Sequence, residues 1–236
     1  MIIIPARLAS TRFPNKILAD INGLPMVIQT AKKVHNIDET IVACDDEEVM
    51  RLCKNHGIKA IMTAKTHQSG TDRINEAVKL SGAKDDEIII NVQADEPFIE
   101  TVVVEKLFET VKLCNHSFKM ASLYKKISSK AAQDTNLVKV IIDKKQNAIY
   151  FSRNKIPYDR DGGFDEYYGH LGLYGFTASS LSEFCSLPYS ILEHTEKLEQ
   201  LRAIESGKKI KMALVETRSF GIDTTEDLKK AMELFR

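Results

Sequence analysis

The chain begins with the stretch Ile2–Lys16, IIIPARLASTRFPNK, around which we expect the fold to be organised. Three consecutive isoleucines without polar alternation predict a short strand that is buried on both faces. Pro5 has no N–H to donate to a neighbouring strand, and we expect it to end this one. The loop that follows carries three cations, Arg7, Arg12 and Lys16, and no acidic residue.

This basic loop leaves the carboxyl end of a buried strand, which is where open α/β sheets bind their ligands. Three cations in such a loop indicate a polyanion, most simply a nucleoside triphosphate. A solvated basic loop without a ligand is an equally good interpretation of this stretch alone.

Composition describes a globular chain of 236 residues, 43% hydrophobic and 28% charged. Lys plus Arg and Asp plus Glu each total 33, so the charge balance favours neither nucleic acid nor a membrane surface as a partner. The four cysteines are too far apart for a zinc ribbon and are typical of reduced thiols. No basic region precedes the short first apolar run, and no window approaches the roughly 20 apolar residues of a membrane span. We therefore expect a cytoplasmic protein without a signal peptide.

Strand and helix patterns alternate along the first half, which predicts an α/β protein with a mostly parallel sheet and helices on both faces. Further strands are predicted over 39–43, 59–62 and 87–93, and helices over 26–34, 47–56, 71–80 and 101–114. The second half is less regular, with strands over 120–127, 138–142, 170–177 and 210–215. A long helix from the cap at Ser190 to Glu205 and a last helix over 224–235 complete it. We expect one domain over 1–236, with about 144–176 as an irregular flap or dimer contact within it.

Two acids, Asp95 and Asp223, each follow a predicted strand and precede a predicted helix. Carboxylates at the ends of buried strands would face the same crevice as the basic loop, where they suit a hard cation that holds phosphate oxygens. Each acid also has a simpler interpretation as a helix cap, and this is stronger for Asp223, which precedes Thr-Thr-Glu-Asp. Together with the basic loop, the two acids favour a metal–triphosphate site.

Three other groups of residues suit ligand binding. The segment QSGTDR at 68–73 places small polar groups and an arginine at a helix start, where they either bind an anion or cap the helix. Residues 150–161 combine Arg153 and Arg160, usual partners of a carboxylate, with aromatic rings that should shield them from water. Side chains that could grip sugar hydroxyls are His170, Tyr174, Glu199 and Gln200, although the last two also suit the solvated face of a helix. Walker A, GxGxxG, GxSxG and HExxH motifs are absent from the sequence, so a P-loop NTPase or a dehydrogenase is poorly supported.

The motifs together resemble those of the 3-deoxy-manno-octulosonate (Kdo) cytidylyltransferases, also called CMP-Kdo synthetases. IPAR at 4–7, STRFPNK at 10–16, HQSGTDR at 67–73 and NVQADEP at 91–97 look like the nucleotide half of that family. Residues 150–161, HLGLYG at 170–175, LEQLR at 198–202 and GIDT at 221–224 look like its sugar half and closing acid. The resemblance runs from residue 2 to about residue 230 in the same order. Ala94 departs from the usual glycine, and Tyr158 departs from the usual tryptophan.

This resemblance implies a Rossmann-like mononucleotide-binding fold, a homodimer, Mg²⁺ dependence, and the reaction of CTP with Kdo to give CMP-Kdo and pyrophosphate for lipopolysaccharide biosynthesis. It implies catalytic roles for Arg7, Lys16, Asp95 and Asp223, the two acids holding Mg²⁺. The implied CTP site comprises Ala6, Arg7, Ser10, Arg12, Lys16, Gln68, Ser69 and Arg73. The implied Kdo site comprises Gln93, Arg153, Arg160, His170, Tyr174, Glu199 and Gln200, with either arginine taking the carboxylate. A CMP-sialate or other sugar nucleotidyltransferase and a non-catalytic nucleotide-binding module are the alternatives.

Overall fold

The computed structural model describes residues 1–8, 13–67 and 69–235. Three predicted CTP residues, Ser10, Arg12 and Gln68, therefore lie outside the described residues. Backbone contacts divide the chain into two compact units. Unit 1 comprises Met1–Glu105 and Arg218–Arg236, and unit 2 comprises Lys106–Thr217.

Strands and helices alternate from the start of the chain to residue 112. In chain order they are β1 (Ile2–Ala6), β2 (Asp20–Ile21), β3 (Leu24–Pro25), α1 (Met26–Val34), β4 (Thr40–Cys44), α2 (Glu47–Asn55), β5 (Lys59–Met62), α3 (Gly70–Ser81), β6 (Ile88–Asn91) and α4 (Thr101–Lys112). The rest of the chain forms β7 (Met120–Ile127), β8 (Lys139–Ile142), β9 (Ala148–Ser152), β10 (Tyr167–Thr177), α5 (Ala178–Ser186), α6 (Ile191–Glu196), α7 (Leu201–Glu205), β11 (Lys211–Leu214) and α8 (Thr225–Leu234). None of the described helices is long and apolar enough to cross a membrane.

The sheet of unit 1 is parallel, with the strand order β6-β1-β4-β5. Its central strand β1 is buried along its whole length, as the three isoleucines predicted. Helix-bearing crossovers between parallel strands place all the carboxyl ends at one edge of the sheet. The predicted α/β class is confirmed.

Pro5 does not end β1, contrary to our expectation, because the strand continues through Pro5 to Ala6. The carbonyl of Ile3 accepts a hydrogen bond of 3.2 Å from the Val92 amide, so Ile3 faces β6. Pro5, two residues further, faces the same side, and β6 ends at Asn91 before reaching it. The missing N–H of the proline therefore interrupts no pairing.

Unit 2 is built mainly from antiparallel strands. Strand β10 pairs antiparallel with β7 and β8, β8 pairs antiparallel with β9, and β11 runs parallel to β7. The segment 144–176, which we expected to be irregular, in fact contains β9 and most of β10. Its role as a flap or dimer contact stays a prediction. Helix α5 was not predicted, and its N-cap is Thr177, whose hydroxyl accepts a hydrogen bond from the Ser180 amide.

The prediction of one long helix from Ser190 to Glu205 is wrong. The chain instead forms two short helices, and Lys197 between them adopts a left-handed conformation with φ 54°. The predicted cap is present, because the Ser190 hydroxyl accepts a 3.0 Å hydrogen bond from the Glu193 amide. As a consequence, Glu199 and Gln200 lie in the turn between two helices and not on the face of one.

Candidate active site

Three predicted catalytic residues of unit 1 form one ionic cluster. Lys16 begins a 3₁₀ turn, Asp95 lies in the loop after β6, and Asp223 immediately precedes the cap of α8. The Lys16 ammonium donates to Asp95 Oδ2 at 2.5 Å and to Asp223 Oδ1 at 3.0 Å. A backbone hydrogen bond of 2.9 Å from the Ile222 amide to the Asp95 carbonyl holds the two acidic loops together.

The cluster is half-buried, with 13% of the Lys16 side chain, 24% of Asp95 and 46% of Asp223 exposed. Burial by itself lowers the pKa of Lys16, but the charges and hydrogen bonds of the two carboxylates outweigh it and leave that pKa raised. Lys16 therefore carries its charge throughout the physiological range. Two carboxylates converge on a single cation. Asp95 closely follows β6, as we predicted, but the prediction that Asp223 also directly follows a strand is wrong, because β11 ends at Leu214.

Helix capping does not account for Asp223. The cap of α8 is Thr224, whose hydroxyl accepts from the Asp227 amide at 3.1 Å while the Asp227 carboxylate accepts from the Thr224 amide at 3.0 Å. This reciprocal pair is a capping box with Asp in the third position. The Asp223 carboxylate is directed to Lys16 instead.

We expect Thr224→Ala to lower the free energy of unfolding by about 1 kcal/mol, the usual effect of losing an N-cap hydroxyl. Urea denaturation measures it, and Thr225→Ala is the matched control because it makes the same change one residue further on, inside the helix. Equal stability of the two variants would contradict the assignment of the cap to Thr224.

A cavity of about 160 Å³ lies beside β1 and the start of α3 in unit 1. It is smaller than the roughly 300–1,000 Å³ of sites that enclose whole ligands, so it suits one part of a ligand. Its lining combines predicted CTP residues with the predicted Kdo residue Gln93, and comprises Pro5, Arg7, His67, Ser69, Gly70, Arg73 and Gln93. Pro5, His67 and Gly70 were not predicted. A Cβ added at Gly70 would lie 3.4 Å from Pro5 Cγ, so the start of α3 lies close to β1.

Arg73 lines this cavity with a guanidinium that is already bound to protein groups. It pairs with Asp45 at 2.7 Å and donates to the Thr63 hydroxyl at 2.6 Å, and only 3% of its side chain is exposed. Ser69 caps α3, since its hydroxyl accepts from the Asp72 amide at 3.1 Å. The capping interpretation of residues 68–73 is therefore confirmed for Ser69, and its contact with CTP stays a prediction.

In unit 2, His170, Tyr174 and Gln200 lie together in the interior. The Tyr174 hydroxyl donates to Gln200 Oε1 at 2.9 Å, and the His170 and Tyr174 rings are 5.6 Å apart between centroids. The Gln200 Nε2 group is buried and has no hydrogen-bond partner among the residues that the structure describes. Only 2% of Gln200 is exposed, so the alternative of a solvated helix face is wrong for this residue. Glu199 instead lines a separate cavity of about 490 Å³ that includes Tyr189 and Arg202.

Buried titratable groups in this region are kept neutral. Burial lowers the pKa of His170 to about 3, and its Nε2 atom lies 2.8 Å from the Ser122 hydroxyl. Burial likewise raises the pKa of Tyr174 well above its ordinary value. His170 therefore offers no positive charge to a carboxylate at neutral pH, and the contacts of His170 and Tyr174 with a sugar stay a prediction.

The two candidate arginines differ in what surrounds them. The Arg153 guanidinium donates to three backbone carbonyls at the end of α6 and before β8, namely Glu196 at 2.7 Å, Thr135 at 3.2 Å and Lys197 at 3.4 Å. Arg160 is exposed, and no described residue binds its guanidinium. The expected shielding by aromatic rings is wrong for Arg160, since Tyr158 nearby in the sequence is 86% exposed.

Lys139 strengthens the anchoring of Arg153. It is completely buried, and its ammonium donates to the carbonyls of Asp134 at 2.8 Å, Leu137 at 2.7 Å and Arg153 at 2.5 Å. Burial lowers the pKa of this lysine. Ser152 and Arg153 are also bound to the Glu196 carboxylate, so the end of β9 is fastened to α6.

A parallel sheet with a cavity and an ionic cluster beyond its strand ends is typical of mononucleotide-binding α/β proteins. A family model described as cytidylyltransferase matches residues 1–210 of the chain. The fold of a mononucleotide-binding α/β protein therefore agrees with the family model, which describes a nucleotide-using transferase.

Named relatives show which cytidylyltransferases this chain resembles. A 3-deoxy-manno-octulosonate cytidylyltransferase of Wolinella succinogenes is 53% identical over 100% of this chain and 99% of its own length. One of Helicobacter pylori (strain HPAG1) is 50% identical over 100% of this chain and 97% of its own. A solved structure of CMP:2-keto-3-deoxy-manno-octonic acid synthetase complexed with CTP superposes with a TM-score of 0.91 at 38% identity, over 99% of this chain and 96% of that one. The chain belongs to the 3-deoxy-manno-octulosonate cytidylyltransferase family, which confirms the resemblance found in its motifs.

Proposed function

We propose that the protein transfers the cytidylyl group of CTP to the anomeric hydroxyl of Kdo, forming CMP-Kdo for lipopolysaccharide biosynthesis and releasing pyrophosphate. The observation that carries the proposal is the convergence of Asp95 and Asp223 on Lys16 in a chain of this family. Phosphoryl-group transfer of this kind depends mainly on positioning and charge stabilisation, which such a cluster supplies.

Asp95 and Asp223 would hold the Mg²⁺ ion that the family resemblance implies. They approach one ammonium nitrogen from two loops, so the same pair can approach one metal ion. Mg²⁺ is typically bound by one or two carboxylates together with substrate phosphates and water. The described residues contain no group of three or more His, Cys, Asp and Glu side chains placed for a metal, so the other ligands would come from phosphates and water. When bound, Mg²⁺ supplies a Lewis acid that lowers the pKa of a coordinated hydroxyl and neutralises phosphate charge.

The remaining residues bind and orient the substrates. Arg7, Arg12 and Lys16 neutralise the triphosphate and the departing pyrophosphate, and the cavity beside β1 receives part of the nucleotide. Arg160 pairs with the carboxylate of Kdo, because its guanidinium can form two parallel hydrogen bonds and no described residue occupies it. The family resemblance assigns the sugar hydroxyls to Tyr174 and Gln200, which are hydrogen-bonded to each other in the interior of unit 2.

Pyrophosphate release in the presence of CTP, Mg²⁺ and Kdo tests the proposal directly. Release with Kdo alone among the sugars, and with CTP in preference to ATP, GTP and UTP, is the expected result. Release with sialic acid in place of Kdo would identify a CMP-sialate synthetase. Binding of CTP without pyrophosphate release would identify a non-catalytic nucleotide-binding module.

A cytoplasmic location and a homodimer complete the proposal, and both are supported by the family resemblance. Sedimentation of the purified chain at several concentrations tests the homodimer.

A further inference from the structure

The Lys16 ammonium lies at the point where the two proposed metal ligands converge. Its nitrogen is 2.5 Å from Asp95 Oδ2 and 3.0 Å from Asp223 Oδ1. Mg²⁺ binds oxygen ligands at about 2.0–2.1 Å, so an ion bound to Asp95 Oδ2 would lie at most about 4.6 Å from the ammonium nitrogen, the sum of the two distances. Two positive charges at such a separation in a half-buried site repel strongly. The metal and the ammonium therefore compete for the same two carboxylates.

We propose that Lys16 is a tethered cation that holds the metal position until a triphosphate draws its ammonium away. The inference rests on the proposed function, and it assigns Lys16 a second role there besides neutralising the phosphates. Metal and nucleotide then bind as a pair, because the nucleotide supplies the oxygens that the ammonium needs when it leaves the two acids. In the absence of nucleotide, the metal has to displace Lys16 without that compensation.

The backbone around Lys16 allows this exchange to take place in the side chain alone. The Lys16 amide is bound to the Phe13 carbonyl at 3.1 Å and the Ala19 amide to the Lys16 carbonyl at 3.1 Å, so the main chain is fixed on both sides. The ammonium stands at the end of a flexible four-carbon stem, which can re-aim it by several ångströms.

Holding the position also keeps the acids close together. Asp95 and Asp223 lie on different loops, and their carboxylates would repel each other without a cation between them. Lys16 supplies that cation before the metal arrives, so the ligands need little rearrangement when it binds. Lys16 thus acts as a positioning residue in the free protein.

Binding of Mn²⁺ without nucleotide tests the inference, and electron paramagnetic resonance of the free ion measures it. We expect Lys16→Met to bind Mn²⁺ about tenfold or more tightly than the wild type, the scale of removing a close charge competitor. Lys59→Met is the matched control, because it removes a lysine from an exposed ion pair with Glu39 of 2.6 Å and should leave Mn²⁺ affinity unchanged. Lys16→Gln, which keeps a neutral donor, serves if Lys16→Met does not fold.

Asp95→Asn combined with Lys16→Met separates the inference from the proposed metal site. If the double variant loses the additional Mn²⁺ affinity that Lys16→Met gains, the result supports both the inference and the proposed metal site. Equal Mn²⁺ affinity of the wild type and Lys16→Met, lowered in both by Asp95→Asn, overturns the inference and leaves the metal ligands in place. Tighter binding by Lys16→Met that Asp95→Asn does not change overturns the inference and the proposed metal site together. No Mn²⁺ binding by any variant in the absence of nucleotide overturns the inference.

Discussion

Asp95→Asn is expected to lower kcat for cytidylyl transfer by about 10² or more, the scale of losing one preorganised electrostatic group. The amide has the size of the carboxylate but lacks its charge, so it binds a divalent cation and the Lys16 ammonium only weakly. Steady-state rates of pyrophosphate release at saturating CTP and Kdo and ordinary Mg²⁺ concentration measure the effect. The same loss is expected for Asp223→Asn, because that carboxylate converges on the same cation.

Asp86→Asn is the matched control for this prediction, since it makes the same chemical change at an exposed acid of unit 1. It should leave kcat unchanged. Near-normal turnover in Asp95→Asn or Asp223→Asn would remove that residue from the metal site. A comparable loss in Asp86→Asn would show that the assay responds to net charge and not to the cluster.

Arg160→Ala is expected to lower kcat/KM for Kdo by about 10- to 100-fold, while the dissociation constant of CTP stays the same. Hydrogen bonds to a charged group contribute about 1.5–3 kcal/mol, and the guanidinium fork matches a carboxylate. Arg160→Lys should recover only part of the loss, because a point charge does not reproduce the fork. Since Arg160 is exposed and unbound by described residues, its removal should not change the unfolding transition.

Arg153→Ala provides the contrast. Its guanidinium binds carbonyls of Thr135, Glu196 and Lys197, so its loss should lower the free energy of unfolding by about 2 kcal/mol. Urea denaturation of both variants measures this difference. If Arg153→Ala kept its stability but lost kcat/KM for Kdo, while Arg160→Ala kept its kcat/KM, then Arg153 and not Arg160 would bind the carboxylate of Kdo.

The position of Asp95 could be predicted because strand ends can be recognised in the sequence, whereas Asp223, which we expected directly after a strand, lies nine residues along the chain from the end of β11 at Leu214. Runs such as Ile2–Ile4 and Ile88–Ile90 have no polar alternation, so they mark buried strands, and parallel strands bring the residues after them to one edge of the sheet. The same reasoning failed at Pro5. Whether its missing N–H matters depends on how far the neighbouring strand extends, and that is a property of the sheet and not of the local sequence.

Long-range contacts explain the other errors. Nothing near Lys197 in the sequence indicates a left-handed residue, and the break it causes is accompanied by the binding of Arg153 to the carbonyls of Glu196 and Lys197. Arg73 forms an ion pair with Asp45, which is 28 positions away in the chain. The local sequence of residues 68–73 does not predict this partner. An arginine can be recognised from sequence as a binder of anions, but its partner is decided by the fold.

Lys139 has a consequence for how this region can evolve. All three of its hydrogen bonds end on main-chain carbonyls, at residues 134, 137 and 153, and a carbonyl is present whatever side chain its residue carries. Substitutions at 134 and 137 therefore leave acceptors for the buried ammonium in place, provided that the backbone keeps its path. The lysine itself has no such freedom, because a shorter or neutral side chain would abandon all three acceptors at once. As far as these hydrogen bonds are concerned, mutational constraint therefore falls on Lys139, while the side chains at 134 and 137 can vary.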